Sequence, residues 1–463
     1  MNSTLDADLL VIGFGKGGKA VAARMGRLGK RVVVVERSAR MYGGTCPNVG
    51  CVPTKGLVHR SHQRRPGDPA QDWYQRSVGE VQSIREMMRH GNLDALNGIE
   101  TVTVLTGQAS FIDAHTVGVT TADDRLTVTA DTILINTGSE PVTPDIPGLA
   151  TSGHTVTSTE LIESTTLPRR LAILGGGYLG IEFASIYRAF GSQVTMFEHA
   201  ARILTREDDD IAAAAHGILA GDGIEIVTGA QVTRVRDGEH GATIDYDTDG
   251  RQHSVEVDAI LTAAGRVPAT RDLGLDAAGV RTTGAGAVEV DEYLRTSQPH
   301  IYALGDVRGG PQFTYLSLDD SRIVLDQLTG EGRRSMTDRV VVPHALFMTP
   351  PLATVGMTER EAREAGRRVA IASQPVADIV AMPRAYAVNE TRGVMKFVID
   401  AETDEILGAA LLSVDAQEII NTVALAMRHR ITAAELRDAV YTHPSSTEAL
   451  NDVLATVIRV DEA

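Results

Sequence analysis

Residues 8–37 read DLLVIGFGKGGKAVAARMGRLGKRVVVVER. Two unbroken apolar runs, Leu9–Ile12 and Val32–Val35, flank Gly13, Gly15 and Gly18. Apolar runs without alternation are the pattern of strands buried on both faces of a parallel sheet. The glycines fall where a strand–turn–helix unit needs them. The first permits a tight turn, the second lets a pyrophosphate approach the backbone, and the third lets helix pack on strand. The helix N-terminus then offers free N–H groups and a positive dipole to phosphate. Glu36 stands 21 residues after Gly15, at the end of the next strand, placed to accept hydrogen bonds from a ribose.

The pattern recurs at residues 170–199, RLAILGGGYLGIEFASIYRAFGSQVTMFEH. Here the loop glycines are Gly175, Gly177 and Gly180, and the acid is Glu198, again 21 residues after the middle glycine. Two such units predict two dinucleotide sites. An acid at 198 favours an unphosphorylated ribose, hence NADH, while Arg202 and Arg206 leave NADPH open. Between the units, a helix is expected near 77–98. Val102–Leu105 and Thr116–Thr120 are expected to form a small inserted antiparallel layer. DTILINTG at 131–138 reads as a buried strand, and Pro141, Pro144 and Pro147 mark a linker. Short strands are expected across 286–304 and a helix over 313–329. From about 339, alternating segments such as GVMKFVID and ILGAALLSV interleave with helical stretches near 358–366, 415–429 and 432–439. That block lacks a phosphate loop and reads as α+β.

A chain of 463 residues, 43% hydrophobic and 22% charged, has material for several cores. A net charge of -16 argues against a nucleic-acid partner, which needs a basic stripe. No apolar run reaches the roughly 18 residues of a membrane-spanning helix, and the N-terminus lacks a secretory pattern, so a cytoplasmic protein is expected.

The chain has two cysteines, Cys46 and Cys51, within GGTCPNVGCVPTK at 43–55. This spacing suits a redox dithiol or a metal site. Zinc would need two more ligands, and His59 and His62 alone make a poor set, so no metal is expected. The segment after Cys51 reads as a helix start, which stabilises a thiolate.

GGTCPNVGCVPTK, the two glycine loops, ALGD at 303–306 and THPSSTE at 442–448 together resemble the pyridine nucleotide–disulfide oxidoreductases: glutathione reductase, lipoamide dehydrogenase and mercuric reductase. The resemblance runs through nearly the whole chain. It implies an α/β fold of two Rossmann-like domains plus a C-terminal α+β dimerisation domain. Residues 1–150 and 268–338 would bind FAD, 151–267 would bind NAD(P), and 339–463 would dimerise. FAD would be held by Gly13, Gly15, Gly18, Glu36, Gly44, Thr45, Lys55, Thr137, Gly138, Gly305 and Asp306. Gly175, Gly177, Gly180, Glu198 and Gly265 would hold the nicotinamide nucleotide. Cys51 would be the thiol next to the flavin and Cys46 the exposed thiol that attacks substrate. Lys55 would pair with Glu182. His443 and Glu448 would act as an acid–base pair on the other subunit of a homodimer.

Further strings, RGGPQFTYLSLDDSRIV at 308–324 and PHALFMTPPLATVGMTE at 343–359 among them, resemble a narrower bacterial branch tied to reactive-chlorine resistance. That branch implies reduction of a small oxidant, hypothiocyanous acid first and copper(II) second. The alternatives are a dihydrolipoamide dehydrogenase-type enzyme, a mercuric reductase-like enzyme, or a non-catalytic redox sensor. No cysteine follows Cys51, so mercuric reduction, which uses a C-terminal pair, is not favoured. Pro350–Pro351 and Gly265-Arg266-Val267-Pro268-Ala269 depart from the lipoamide pattern. Tyr42, His344 and Phe347 are candidate pocket residues.

Overall fold

The structure, a computed structural model, describes residues 3–459. Its first sheet has seven strands. In spatial order six of them are Val102–Thr106, Val32–Glu36, Ser3–Ile12, Arg125–Ile135, Thr116–Thr120 and Gln108–Phe111. The seventh, Ile301–Ala303, pairs with the end of Arg125–Ile135. The unbroken apolar runs explain themselves here. Leu9, Val11, Val32 and Val34 pack with Val21 and Ala22 of the helix Lys16–Arg27. Leu10, Ile12, Val33 and Val35 face a second core with Phe111, Val117 and Val128. Successive strand residues point to opposite faces, so a strand covered on both sides must be apolar throughout.

Two expectations are corrected. Val102–Thr106 is no part of an antiparallel layer; it pairs parallel with Val32–Glu36. The long helix Ala70–Asn97 carries the chain over the sheet between them, and such a crossover returns a strand in parallel. The antiparallel layer consists of Gln108–Phe111, Thr116–Thr120 and the first half of Arg125–Ile135. Across 286–304 the only strand is Ile301–Ala303.

The second glycine loop belongs to a five-stranded parallel sheet: Glu225–Thr228, Gln193–Glu198, Arg170–Leu174, Ala259–Thr262 and Thr155–Val156. An antiparallel meander, Gln231–Gly238, Gly241–Thr248 and Arg251–Val257, packs beside it. The chain leaves the first sheet through Ser139–Pro141 and returns through Arg266–Pro268, and these two segments pair antiparallel. Arg266 locks the crossing by donating from Nε to Ser139 Oγ (2.8 Å) and from Nη2 to Ser139 O (2.6 Å).

The last sheet has six strands, all antiparallel, from His344–Leu346 to Ile458–Arg459. Its core gathers Met395, Phe397, Ile399, Ile419, Ile420 and Val423. The expected helices are present as Glu359–Glu364, Ala416–Arg428 and Ala433–Arg437. The first and third start where capping boxes fix them, Thr358 with Glu361 and Thr432 with Glu435. No described helix is long and apolar enough to cross a membrane.

The helix Thr314–Thr329 ties the first unit together. Ser317 Oγ accepts from Gly17 N (3.2 Å). Asp320, fully buried, accepts from Gly305 N (2.7 Å), Arg308 Nε (3.1 Å) and Arg339 Nη2. Arg308 and Arg339 are themselves only 10% and 12% exposed. Removing one partner of a buried charge cluster leaves the others desolvated and unpaired. Asp320→Ala is therefore expected to cost about 3–5 kcal/mol, read as a lower urea midpoint with an unchanged slope.

Candidate active site

A cleft of about 450 Å³ runs along the first glycine loop and ends at the two cysteines. Gly13, Gly15, Glu36, Gly44, Thr45, Thr137, Gly138 and Asp306 line it, with Cys46, Cys51, Lys55 and Glu182. Every FAD-side candidate thus borders one space except Gly18 and Gly305, which lie behind it. Gly18 N donates to Asn136 Oδ1 (2.9 Å), and Gly305 N to Asp320. Glu36 accepts from Phe14 N (2.9 Å) and Ser38 N (3.1 Å), and burial pushes its carboxyl upward. Asp306 accepts from Ser139 Oγ (2.8 Å) and is also raised by burial.

The dithiol segment is pressed directly onto the phosphate loop. Gly44 has φ +79°, and a Cβ there would stand 2.8 Å from Gly15 Cα. Only glycine fits. The chain then makes a short helix, Thr45–Val49, breaks at Gly50, and starts the helix Cys51–Ser61. Asn48, fully buried, staples this turn. Its Nδ2 donates to Tyr42 O (2.9 Å) and Gly44 O (2.8 Å), and its Oδ1 accepts from Arg89 Nε (2.9 Å).

Cys46 and Cys51 are free thiols that line the cleft together. The neighbouring Cys46 thiol lowers the Cys51 thiol to about 6; Thr314 and Lys55 add to the effect, while burial opposes it. Cys46 is pushed up by its Cys51 neighbour and then by burial. The family resemblance makes Cys46 the exposed thiol. In the chain alone Cys51 is exposed and Cys46 half-buried, because the cleft opens on Cys51.

Lys55, one turn after Cys51, bonds both carboxylate oxygens of Glu182 at 3.0 Å. Glu182 lies on the helix Tyr178–Phe190 that follows the second glycine loop, so this pair joins the two units at the cleft. Phe347 N donates to Glu182 Oε1 (3.0 Å), and the Lys55 ammonium sits 4.4 Å from the Phe347 ring centre. His344 instead packs between the Phe313 and Tyr178 rings and bonds Thr354. Tyr42 packs on Phe14 and does not line the cleft.

The second loop repeats the first. Glu198 accepts from Gly176 N (2.7 Å) and Ala200 N (2.8 Å), as Glu36 does from its own loop. Gly180 cannot carry a side chain, since a Cβ would lie 2.0 Å from Gly175 O. Gly177 and Gly265 face open space. Arg202 is committed to the carbonyls of Leu204, Thr205 and Glu207 and to Asp209. His443 Nδ1 bonds Glu448 Oε1 (2.8 Å), whose other oxygen accepts from Ser445 N (2.8 Å). Neither His443 nor Glu448 lines the cleft of its own chain. The helix Ala449–Val453 starts after Glu448 without a side-chain cap.

Several site residues escape a motif reading. Asn136 holds Gly18 N and donates to Leu304 O (2.7 Å), clamping the glycine loop to the ALGD turn. Its only signal is its place one residue before the Thr137–Gly138 turn. Thr314 and Ser317 lie inside the 308–324 string, where nothing marks them among neighbouring hydroxyls.

Residues 7–320 match the family described as pyridine nucleotide-disulphide oxidoreductase, and residues 342–454 match its dimerisation domain. The chain belongs to the pyridine nucleotide-disulphide oxidoreductases, FAD-dependent enzymes that use a pyridine nucleotide. It is 44% identical to a probable pyridine nucleotide-disulfide oxidoreductase, RclA, of Escherichia coli, over 97% of this chain and 98% of that protein. It is 32% identical to the dihydrolipoyl dehydrogenase of Geobacillus stearothermophilus, covering 98% of each. Among solved structures, the Cu(II) complex of the HOCl-induced flavoprotein disulfide reductase RclA from Escherichia coli superposes with a TM-score of 0.92 at 43% identity. That match covers 98% of this chain and 99% of the other.

The lowered Cys51 thiol has a measurable signature. In the reduced protein, alkylation of Cys51 by iodoacetamide should accelerate as pH rises through about 6 and then level off. Cys46, whose thiol is pushed up, should react more slowly than Cys51 at the same pH. Peptide mass spectrometry at graded pH reads the two sites separately.

Proposed function

We propose that this chain reduces a small electrophilic oxidant, most consistently hypothiocyanous acid, with NADH as electron source. The observation that carries the reading is the dithiol itself. Two thiols stand together at the end of the cleft along the first glycine loop, and the chain has no third thiol to relay metal or a large substrate.

The cleft fits FAD. A helix N-terminus, a buried acid at one end and a lysine with two thiols at the other suit an extended dinucleotide bearing a redox ring. Gly13, Gly15, Gly18 and Glu36 would hold its nucleotide half. Gly44, Thr45, Lys55, Thr137, Gly138, Gly305 and Asp306 would hold the rest. When bound, the flavin supplies two-electron transfer between the reduced nicotinamide and the disulfide. The nicotinamide nucleotide belongs on Gly175, Gly177, Gly180, Glu198 and Gly265. Glu198 disfavours a 2′-phosphate, and Arg202 is already engaged, which supports NADH over NADPH. On this reading residues 1–150 with 268–338, 151–267 and 339–463 are the FAD, NAD(P) and dimerisation units.

The chemistry needs only the two thiols. The Cys46 thiolate attacks the sulfur of HOSCN, forming Cys46–S–SCN and releasing hydroxide. The Cys51 thiolate attacks Cys46 sulfur, closing the disulfide and releasing thiocyanate. Two electrons pass from the dithiol to the oxidant. Cys46 must first lose its proton, and the His443–Glu448 pair of a second copy is the acceptor we assign. A histidine held by a carboxylate exchanges protons near neutral pH. Copper(II) is a second reading, favoured by the Cu(II) complex of the Escherichia coli relative. There the same dithiol would give one electron to each of two ions.

Stopped-flow NADH oxidation by the holoenzyme tests this. Rapid turnover with hypothiocyanous acid and little with lipoamide is expected; the reverse ratio sinks the reading in favour of a lipoamide dehydrogenase. Turnover with copper(II) alone selects the second reading. Cys46→Ser should abolish turnover while FAD stays bound.

A further inference from the structure

Thr314 is the first residue of the helix Thr314–Thr329, and its Oγ1 lies 3.6 Å from Cys51 Sγ. It lines the cleft beside both thiols. This helix is pinned from several sides. Ser317 and Asp320 fix it to the glycine loop and the ALGD turn. Tyr315 OH donates to Pro343 O (2.7 Å), and the Phe313 and Tyr315 rings stack at 5.2 Å. The hydroxyl is thus held in place rather than swung in from solvent.

A thiolate sulfur has no proton, so toward it a threonine hydroxyl can only donate. Hydrogen bonds to charged groups are the strong ones. Lys55, the nearest formal cation of the site, has both carboxylate oxygens of Glu182 on its ammonium. The Thr314 hydroxyl is the side-chain group in hydrogen-bond contact with Cys51.

Resting on the reading of Cys46–Cys51 as the working dithiol, we infer that Thr314 is a catalytic residue. Its hydroxyl donates to the Cys51 thiolate and holds the charge on that sulfur once Cys46 is free to attack. It is a hydrogen-bonding role with no covalent step, and it orders which sulfur carries the charge.

The test uses flavin-loaded holoenzyme labelled with ¹³Cβ-cysteine and reduced. The chain's two cysteines give two signals whose shifts titrate with thiolate formation. Thr314→Val should raise the Cys51 midpoint by about one to two pH units, the worth of one hydrogen bond to a charged group. Thr314→Ser should restore it. FAD content should stay stoichiometric in both. An unchanged midpoint in Thr314→Val overturns the inference. If valine perturbs folding, Thr314→Ala carries the same comparison. A merely structural threonine would alter stability without moving the midpoint or being rescued by serine. The outcome is separable from the dithiol reading. That reading falls if Cys46→Ser keeps turnover, whereas the Cys51 titration can still be followed in that variant.

Discussion

The contact of Gly44 with Gly15 organises everything downstream of it. Backbone meets backbone where any side chain would collide, so the redox segment lies flat on the phosphate loop. From there the route is short. Thr45–Val49 makes one turn, Gly50 breaks it, and Cys51 heads a new helix. Asn48 fixes the geometry with three hydrogen bonds, and Arg89 brings the long helix Ala70–Asn97 onto the same point. A cleft built for a dinucleotide therefore ends at a thiol pair because the two share a wall.

The electrostatics follow from how few charges the site leaves uncommitted. The Lys55 ammonium is held by Glu182, which also takes a backbone N–H from Phe347. The pair stitches the two nucleotide units together and moderates the positive field at Cys51. A hydrogen bond from Thr314 adds to the stabilisation. The Cys51 thiol is lowered to about 6, and the Cys46 thiol is pushed up. An acceptor for the second proton becomes the limiting requirement of any reaction at Cys46.

Much of this was legible in the sequence where chemistry demands a fixed local pattern. Two glycine loops, their acids, and the dithiol each encode contacts within about thirty residues. Lys55–Glu182 and His443–Glu448 were reached through resemblance, and the structure brings each pair into hydrogen-bond contact. What stayed hidden depends on distant segments. Val102–Thr106 has a strand pattern that does not reveal whether its partner runs parallel or antiparallel; the crossover helix decides it. The meander at 231–257 alternates like any exposed sheet and signals no function. Asn136, Thr314 and Asp320 are ordinary polar residues whose importance comes from what they meet 118 to 263 residues away, or, for Asp320, from complete burial.

The position of His443 closes the argument on assembly. It is held by Glu448 within a segment that matches the family's dimerisation domain, yet it lies off the cleft of its own chain. A histidine oriented by a carboxylate and left exposed toward solvent has little structural use where it stands. Its Nδ1 is occupied, which leaves Nε2 to take or give a proton. The cleft, for its part, contains Cys46, its thiol pushed up, with no histidine among its lining residues. Each surface has what the other lacks. A two-fold dimer supplies the complement twice, once at each cleft, because the same patch meets its partner reciprocally. The exposed apolar side chains of this C-terminal unit, Val380, Leu425 and Val440 among them, offer the area such a contact would bury. The dimerisation domain supports a homodimer, and in it the proposed proton route from Cys46 would run through the partner.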